Sequence, residues 1–384
     1  MSFFALSQYT VEYGIAKLRI HIDFDLVMAK KTTKKSKTQF AFLSQNFGKI
    51  VLALIATGSF AIAFGNEKIS KLIPLPSSHG ACLEQFYRDV PPLLTKESLK
   101  KDSYALCFNG FNVMYSGISK TPLWSAEYLT PERLSIKIKR EDSFHEETRV
   151  PLAHRALLTD YRGSGYDRGH MAPNGDMNNT AAQYDSFSLA NMVPQAPKNN
   201  QEVWRKLEEA VRAIVTKQHR DAYIVTGPVF EGKRLKTIGN GVIVPTAVYK
   251  AVYLPKQGIS GAYYAPNNDS QQVRVVSICY LEEKLGVNLF PQLTEQQKRN
   301  IYQLPLTAAQ VKANQDIKYM RWDAESQCAE EADTASIQAQ QKQFASGQSQ
   351  TAESKLPQID EETKQALIKQ LVDMLVQYFL QLLR

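Results

Sequence analysis

From Tyr104 onward the chain is written in short apolar runs cut by turn residues, and that rhythm limits the fold more than any other feature. The first two runs, Ala105–Phe108 and Phe111–Ser116, are joined by Asn109-Gly110. Asn-Gly supplies the positive-φ positions of a two-residue turn, so the runs on either side pair as an antiparallel hairpin. Further runs at Ala222–Thr226, Val242–Val244, Ala247–Tyr253 and Ser277–Leu281 read as strands, punctuated by Gly227-Pro228 and Gly239-Asn240-Gly241. Gln201–Lys217 is different: Val203, Leu207, Ala210, Val211 and Ile214 fall on one face of a helix. Strands interrupted by single helices predict a mixed α/β (α+β) domain over residues 101–328, built on a central, largely antiparallel sheet with flanking helices.

The ends have other compositions. Residues 1–65 hold five lysines between Lys30 and Lys37, followed by the uncharged run Ile50–Phe64, with small residues at Ala63 and Gly65. A basic stretch before an apolar core reads as a secretory signal cleaved before Asn66, with Met28 as an alternative translation start. The second reading is an uncleaved anchor over residues 50–64, although a full span needs about 20 apolar residues. Residues 66–100, with Pro74, Pro76, Pro91 and Pro92, read as an irregular lead-in. Residues 329–357 are rich in Gln, Ala and Ser and read as a flexible linker. Beyond it, residues 358–384 form an amphipathic helix pattern, with Leu367, Ile368, Leu371, Val372, Leu375, Tyr378, Phe379 and Leu382 in one broad stripe. So much apolar surface predicts association with a second copy or a protein partner.

The net charge of +8 is spread unevenly: residues 66–328 carry 33 basic against 27 acidic side chains. That is a mildly basic body, compatible with a phosphate-rich partner without identifying one. The four cysteines, Cys82, Cys107, Cys279 and Cys328, show no C-x-x-C spacing, which argues against a zinc site. In an exported chain they are candidates for disulfides, with Cys82–Cys107 the preferred pair and four unpaired thiols the alternative.

The segment Tyr166–Pro173 sets an acid, a guanidinium, a glycine and an imidazole side by side at Asp167, Arg168, Gly169 and His170. A buried core would have to satisfy each of those groups separately. Phosphodiester hydrolysis needs a base near neutral pKa and a cation beside the phosphate, which His170 and Arg168 supply. A hard divalent ion tolerates a shell made mostly of waters, so one amide oxygen suffices as its protein ligand. Asn200 is such an amide at the start of the predicted helix. Positions 200, 204, 208 and 212 would stack at i, i+4 spacing, aligning Asn200, Glu208 and Arg212, with Trp204 taken as packing. Asp176, Asn178 and Asn179 are weaker ligand candidates on a polar loop.

Three blocks in order, Asp167–Pro173 (DRGHMAP), Leu189–Gln195 (LANMVPQ) and Asn200–Glu208 (NQEVWRKLE), resemble the signature of the DNA/RNA non-specific endonucleases, the ββα-metal nuclease family. The resemblance covers about residues 100–325. It implies a ββα-metal nuclease fold with His170 as general base and Asn200 as the ligand of Mg²⁺ or Mn²⁺. By the same resemblance Glu208 holds metal-bound waters, Asn191 supports the site, and Arg168 positions the phosphate. Arg140, within Lys139–Asp142, matches an arginine that stabilises transition-state charge. Nothing resembles a helix-turn-helix, zinc finger or RNA-recognition motif, so the expected substrates are DNA and RNA gripped by the phosphate backbone. The hazard of a general nuclease inside a cell points to a periplasmic or secreted protein, or one held at the membrane by residues 50–64. The competing expectation is a nuclease-like envelope protein that binds nucleic acid or a partner without cutting; a phosphodiesterase for small substrates is a third.

Overall fold

A computed structural model describes residues 11–13, 16–18 and 82–347. The chain divides into two units, Met1–Leu75 and Pro76–Arg384. In the first, Val11–Tyr13 and Ala16–Leu18 pair antiparallel. The apolar run 50–64 and the terminal stripe 358–384 lie outside the described residues. Among the described residues no helix is long and apolar enough to cross a membrane.

The second unit is organised by a seven-stranded sheet. Strands β1 (Ser103–Phe108), β2 (Phe111–Ser116) and β3 (Thr121–Leu129) form a meander, with helix α1 (Pro131–Ser135) after it. Next come helix α2 (Leu158–Tyr161), strand β4 (Asp167–His170), helix α3 (Thr180–Ser186) and strand β5 (Met192–Gln195). Helix α4 (Arg205–Gln218) then leads to β6 (Ala222–Val229), β7 (Ala247–Leu254), β8 (Ile259–Pro266) and β9 (Arg274–Val276). The sheet runs β9-β8-β7-β6-β3-β2-β1, antiparallel at every step. The Asn-Gly hairpin is in register as expected, with Phe108 opposite Phe111.

Strand periodicity divides the core into two layers. On β7, Val248 and Val252 face one side and Tyr249, Ala251 and Tyr253 the other, because successive side chains alternate across a strand. The first side receives α4 through Trp204, Leu207, Val211 and Ile214. The second is covered by Phe86, Ile278, Leu281 and Phe344. With both faces packed, every residue of β7 is buried, which is why its sequence shows no polar alternation.

Two expectations fail for identifiable reasons. Ser277–Leu281 belongs to helix α5 (Ile278–Leu285), not to a strand. Ser277 caps it by accepting a hydrogen bond from the Tyr280 amide, and Ile278 and Leu281 turn inward at i, i+3 spacing. A short apolar run is ambiguous in period, and here the cap decides it. The expected linker is also wrong over half its length, since Thr334–Gly347 forms helix α6. Its composition is polar, but Phe344 is fully buried, 5.2 Å from the Phe86 ring and 5.5 Å from Trp124. One buried ring is enough to hold a helix that composition alone assigns to solvent.

Disulfides join Cys82 to Cys107, the preferred pair, and Cys279 to Cys328. The second ties α5 to the chain just before α6. Replacing Phe344 by Ala should lower stability by about 3–5 kcal/mol in denaturant unfolding, the usual cost of deleting a buried phenyl ring. An unchanged midpoint would mean that α6 is not part of the core.

Candidate active site

The DRGH block is strand β4, paired antiparallel with β5 so that Asp167 faces Gln195 and His170 faces Met192. Gly169 is required by this pairing. A Cβ there would meet Gln195 Oε1 at 1.9 Å and Gln195 Cβ at 2.6 Å, so no side chain fits between the strands. The hairpin is anchored from below by Asn191, which is completely buried. Its Oδ1 accepts from Ser125 Oγ at 2.8 Å and the Ala172 amide at 2.9 Å. Its Nδ2 donates to the carbonyls of Ala172 and Ser186 at 2.8 and 3.0 Å. All four bonding positions of the amide are used, and its own carbonyl accepts from the Met171 amide. Asn191 therefore fixes the backbone beside His170 and does not line the cavity.

That cavity, about 1040 Å³, is lined by His170, Asn200 and Glu208 together with Arg140, Arg162, Arg168, Arg205 and Arg212. Of the residues given a role by the family resemblance, Asn191 alone is absent from its wall; the weaker candidates Asp176, Asn178 and Asn179 do not line it either. His170 sits between the rings of Phe187 at 5.0 Å and Phe144 at 5.9 Å. Its Nε2 is enclosed and has no hydrogen-bond partner. Burial, then the guanidinium of Arg140, pulls the imidazole pKa down to about 3; Asp142 opposes this and Arg168 adds a lesser downward pull. The ring is therefore neutral at physiological pH, with a nitrogen lone pair to offer. Arg168 lies over the Phe144 ring at 3.9 Å, and Arg140 over Phe187 at 5.4 Å while its Nε holds Asp142 at 2.6 Å.

The helix half of the site departs from the expected geometry. Asn199–Trp204 forms a π-turn rather than the first turn of an α-helix, and the Arg205 amide bonds back to the carbonyl of Asn200. The wider turn breaks the i, i+4 alignment at Trp204, whose side chain is buried against the sheet as packing. Asn200, Glu208 and Arg212 nevertheless share the cavity. Asn200 is not a cap: its Nδ2 donates to Asp167 Oδ2 at 2.9 Å, and no hydrogen bond engages its Oδ1 among the described residues. Gln201 Nε2 donates to the same carboxylate oxygen at 2.8 Å. Asp167 thus locks strand to helix and fixes the orientation of the Asn200 amide at the cavity.

Sequence reasoning gave Asp167 no role, although it opens the motif. It also left Arg212 without one. Arg212 Nη1 donates to Asp176 Oδ1 at 2.8 Å, and Asp176 is buried behind the wall, which removes it as a ligand candidate. Below lies a second acid without an assigned role, Glu127 on β3, with both oxygens buried and without a hydrogen bond among the described residues and Arg133 at 3.7 Å. Lys250 is buried on the same side of the sheet, bonded to Thr226 at 2.8 Å. Burial, then Asp176, raises Glu127 to about 8, partly opposed by Lys250 and Arg133. Glu208 is raised to about 7 chiefly by burial, against the pull of Arg212 and Lys250. Among the described residues no cluster of three His, Cys, Asp or Glu forms a metal cage; the donor set is an amide and a carboxylate, suited to a hard, largely hydrated cation.

A carboxylate raised in the folded state destabilises it as pH climbs. The penalty from Glu127 is absent below about pH 4.5 and complete above about pH 8. Glu127→Gln keeps the shape of the protonated acid. It should raise the thermal midpoint of the metal-free protein by at least ~3 °C at pH 9, the shift for about 1 kcal/mol in a domain of this size, with little change at pH 4.5. A gain of equal size at both pH values would contradict the assignment.

Comparison with known proteins identifies the family. The sequence model of the family described as DNA/RNA non-specific endonuclease matches residues 91–296. The chain is similar to human mitochondrial endonuclease G, 38% identical over 170 residues, covering 41% of this chain and 54% of that protein. It is similar to the mitochondrial nuclease EXOG of Danio rerio, 35% identical over 205 residues, covering 48% and 60%. It also resembles nuclease C1 of Cunninghamella echinulata var. echinulata, 36% identical over 194 residues, covering 46% and 73%. Among solved structures, a chain from the crystal structure of the EndoG/EndoGI complex matches with a TM-score of 0.49 and 26% identity over 59% of this chain and 96% of that chain. The chain spans little more than half the length of the first relatives named. With the family model matching more than half of its residues, the chain belongs to the DNA/RNA non-specific endonuclease family.

Proposed function

We propose that this protein is a metal-dependent, sequence-non-specific endonuclease that hydrolyses phosphodiester bonds in DNA and RNA. The observation that carries this reading is the meeting of two acceptors without a hydrogen-bond partner among the described residues, His170 Nε2 and Asn200 Oδ1, on side chains that line one arginine-rich cavity. A neutral imidazole with a bare nitrogen accepts the proton of the attacking water. Arg168, Arg140 and Arg212 surround the phosphate and offset charge that grows in the transition state. The donors fit Mg²⁺ or Mn²⁺: Asn200 would hold the ion directly, and Glu208 would bind its waters. When bound, the ion supplies charge neutralisation at the phosphate and the leaving oxygen. Asp167 keeps the Asn200 oxygen turned to the cavity, and Asn191 holds the strand that carries His170.

Substrate choice follows from what the cavity presents. Contacts from guanidiniums to backbone phosphates carry no sequence information, so cleavage of both DNA and RNA with strong inhibition by salt is expected. Export is part of the proposal, supported by two disulfides, which persist in oxidising compartments.

A plasmid-nicking and RNA-degradation assay with and without EDTA tests the reading. His170→Ala should lower turnover by at least ~10²-fold with folding intact. Asn200→Ala should lose activity and regain part of it at high Mg²⁺ or Mn²⁺, because water can replace the amide oxygen. Near-normal cutting by the His170 variant, a consensus at the cut sites, or retention of nucleic acid without cleavage would each overturn the proposal.

A further inference from the structure

Five arginines line the cavity, and they are not held alike. Arg140 and Arg205 are paired with Asp142 and Glu209, Arg212 with Asp176, and Arg168 lies on the Phe144 ring. Arg162 is the exception. Among the described residues its guanidinium has no carboxylate, carbonyl or ring partner, and it is exposed at the cavity wall.

Its backbone, by contrast, is firmly set. Arg162 follows α2, whose Asp160 is buried and accepts from the amides of Leu157 and Asn240, both at 2.8 Å. Tyr161 is buried as well. The Arg162 amide bonds to the carbonyl of Thr159. The loop after it, Gly163-Ser164-Gly165, turns through two left-handed glycines at φ 68° and 79°. Ser164 Oγ closes it, donating to the Tyr161 carbonyl at 2.9 Å and accepting from the Tyr166 amide at 3.1 Å. That closure leads directly into β4. Arg162 is thus a solvated cation on a rigid mount, one short loop from the strand that carries Arg168 and His170.

We propose that Arg162 is a substrate-binding residue that takes a phosphate flanking the one being cleaved, so that the site is built for a polynucleotide chain rather than an isolated diester. The inference rests on the nuclease reading and names its substrate class. Arg140, Arg168 and Arg212, each held by a neighbouring carboxylate or ring, are the ones assigned to the central phosphate in the proposed reaction. An unpaired arginine outside them adds affinity for a longer polyanion through counterion release, without base preference. Lysine would keep the charge and lose only the fork geometry.

Binding and cleavage separate the two ideas. In EDTA, the affinity of the full protein for a fluorescein-labelled 12-nucleotide single-stranded DNA is measured by anisotropy across a salt series. Arg162→Ala should weaken binding by about 5- to 10-fold at low salt and reduce the slope of log K against log salt by ~0.7, one phosphate contact. Arg162→Lys should keep the slope. With Mg²⁺ present, the ratio of kcat/KM on the 12-mer to that on bis(p-nitrophenyl) phosphate should fall in Arg162→Ala by about the same factor. Unchanged affinity and slope, or an equal loss on both substrates, overturns the role of Arg162 while leaving the nuclease reading in place. Salt-sensitive binding that depends on Arg162 in a protein that cuts nothing would do the reverse.

Discussion

The site depends on one carboxylate. Asp167 ends a strand whose partner is fixed by Asn191, and its Oδ2 receives both Asn200 and Gln201 from the first turn of the helical segment. The β4–β5 hairpin and the helical segment are also joined by Gln195 Nε2, which donates to Asn199 Oδ1 at 2.5 Å, but the Asp167 bridge is the one that reaches Asn200 itself. With it, the amide nitrogen of Asn200 is committed and its oxygen is left for a cation. Charge-assisted hydrogen bonds of this kind are roughly twice as strong as neutral ones, so the bridge orients as well as connects. The π-turn serves the same end. It lets Trp204 enter the core beneath the helix while Asn200 and Glu208 both remain at the cavity.

Much of this was legible because the residues that do the chemistry are poor structural choices. An Asp-Arg-Gly-His run has no place in an apolar core, and Asn200 and Glu208 stand at spacings that point to one helical segment. The antiparallel sheet was legible for a different reason, since an Asn-Gly turn between short apolar runs is a local signal. What sequence could not give was partnership at a distance. That Asp167 reaches Asn200, 33 positions on, or that Asp176 neutralises Arg212, 36 positions on, depends on how the β4–β5 hairpin meets the helix. The π-turn was missed because an i, i+4 pattern looks the same until the backbone bond to Asn200 is seen. Helix α6 was missed because its stability comes from Phe344 meeting rings at residues 86 and 124, invisible in a local window of Gln, Ala and Ser.

Beneath the cavity the protein keeps a buried set of charges that a simpler core would avoid. Glu127, Asp176 and Glu208 are interleaved with Arg133, Lys250 and Arg212 across β3, β7, α1 and α4. Replacing such a set by apolar residues is often neutral or stabilising, so stability alone does not explain it. Its position does. Arg212 faces the cavity with Asp176 behind it, so the guanidinium is fixed from the rear and presents its remaining donors forward.

The same economy explains how a base survives among arginines. Cations that attract a phosphate also depress a neighbouring imidazole, and Arg140 and Arg168 do so here on top of burial. A phosphate entering the cavity brings opposite charge to those guanidiniums and offsets their pull on His170. The imidazole is then more basic with substrate in place than without it, while the empty site keeps the ring neutral and its Nε2 lone pair ready. In the proposed reaction, proton acceptance by His170 would then be coupled to occupancy through electrostatics alone. Arg168, which attracts the polyanion, and His170, whose basicity it lowers, stand two positions apart on one strand, Asp167–His170, while Arg140 acts on the same imidazole from outside that strand.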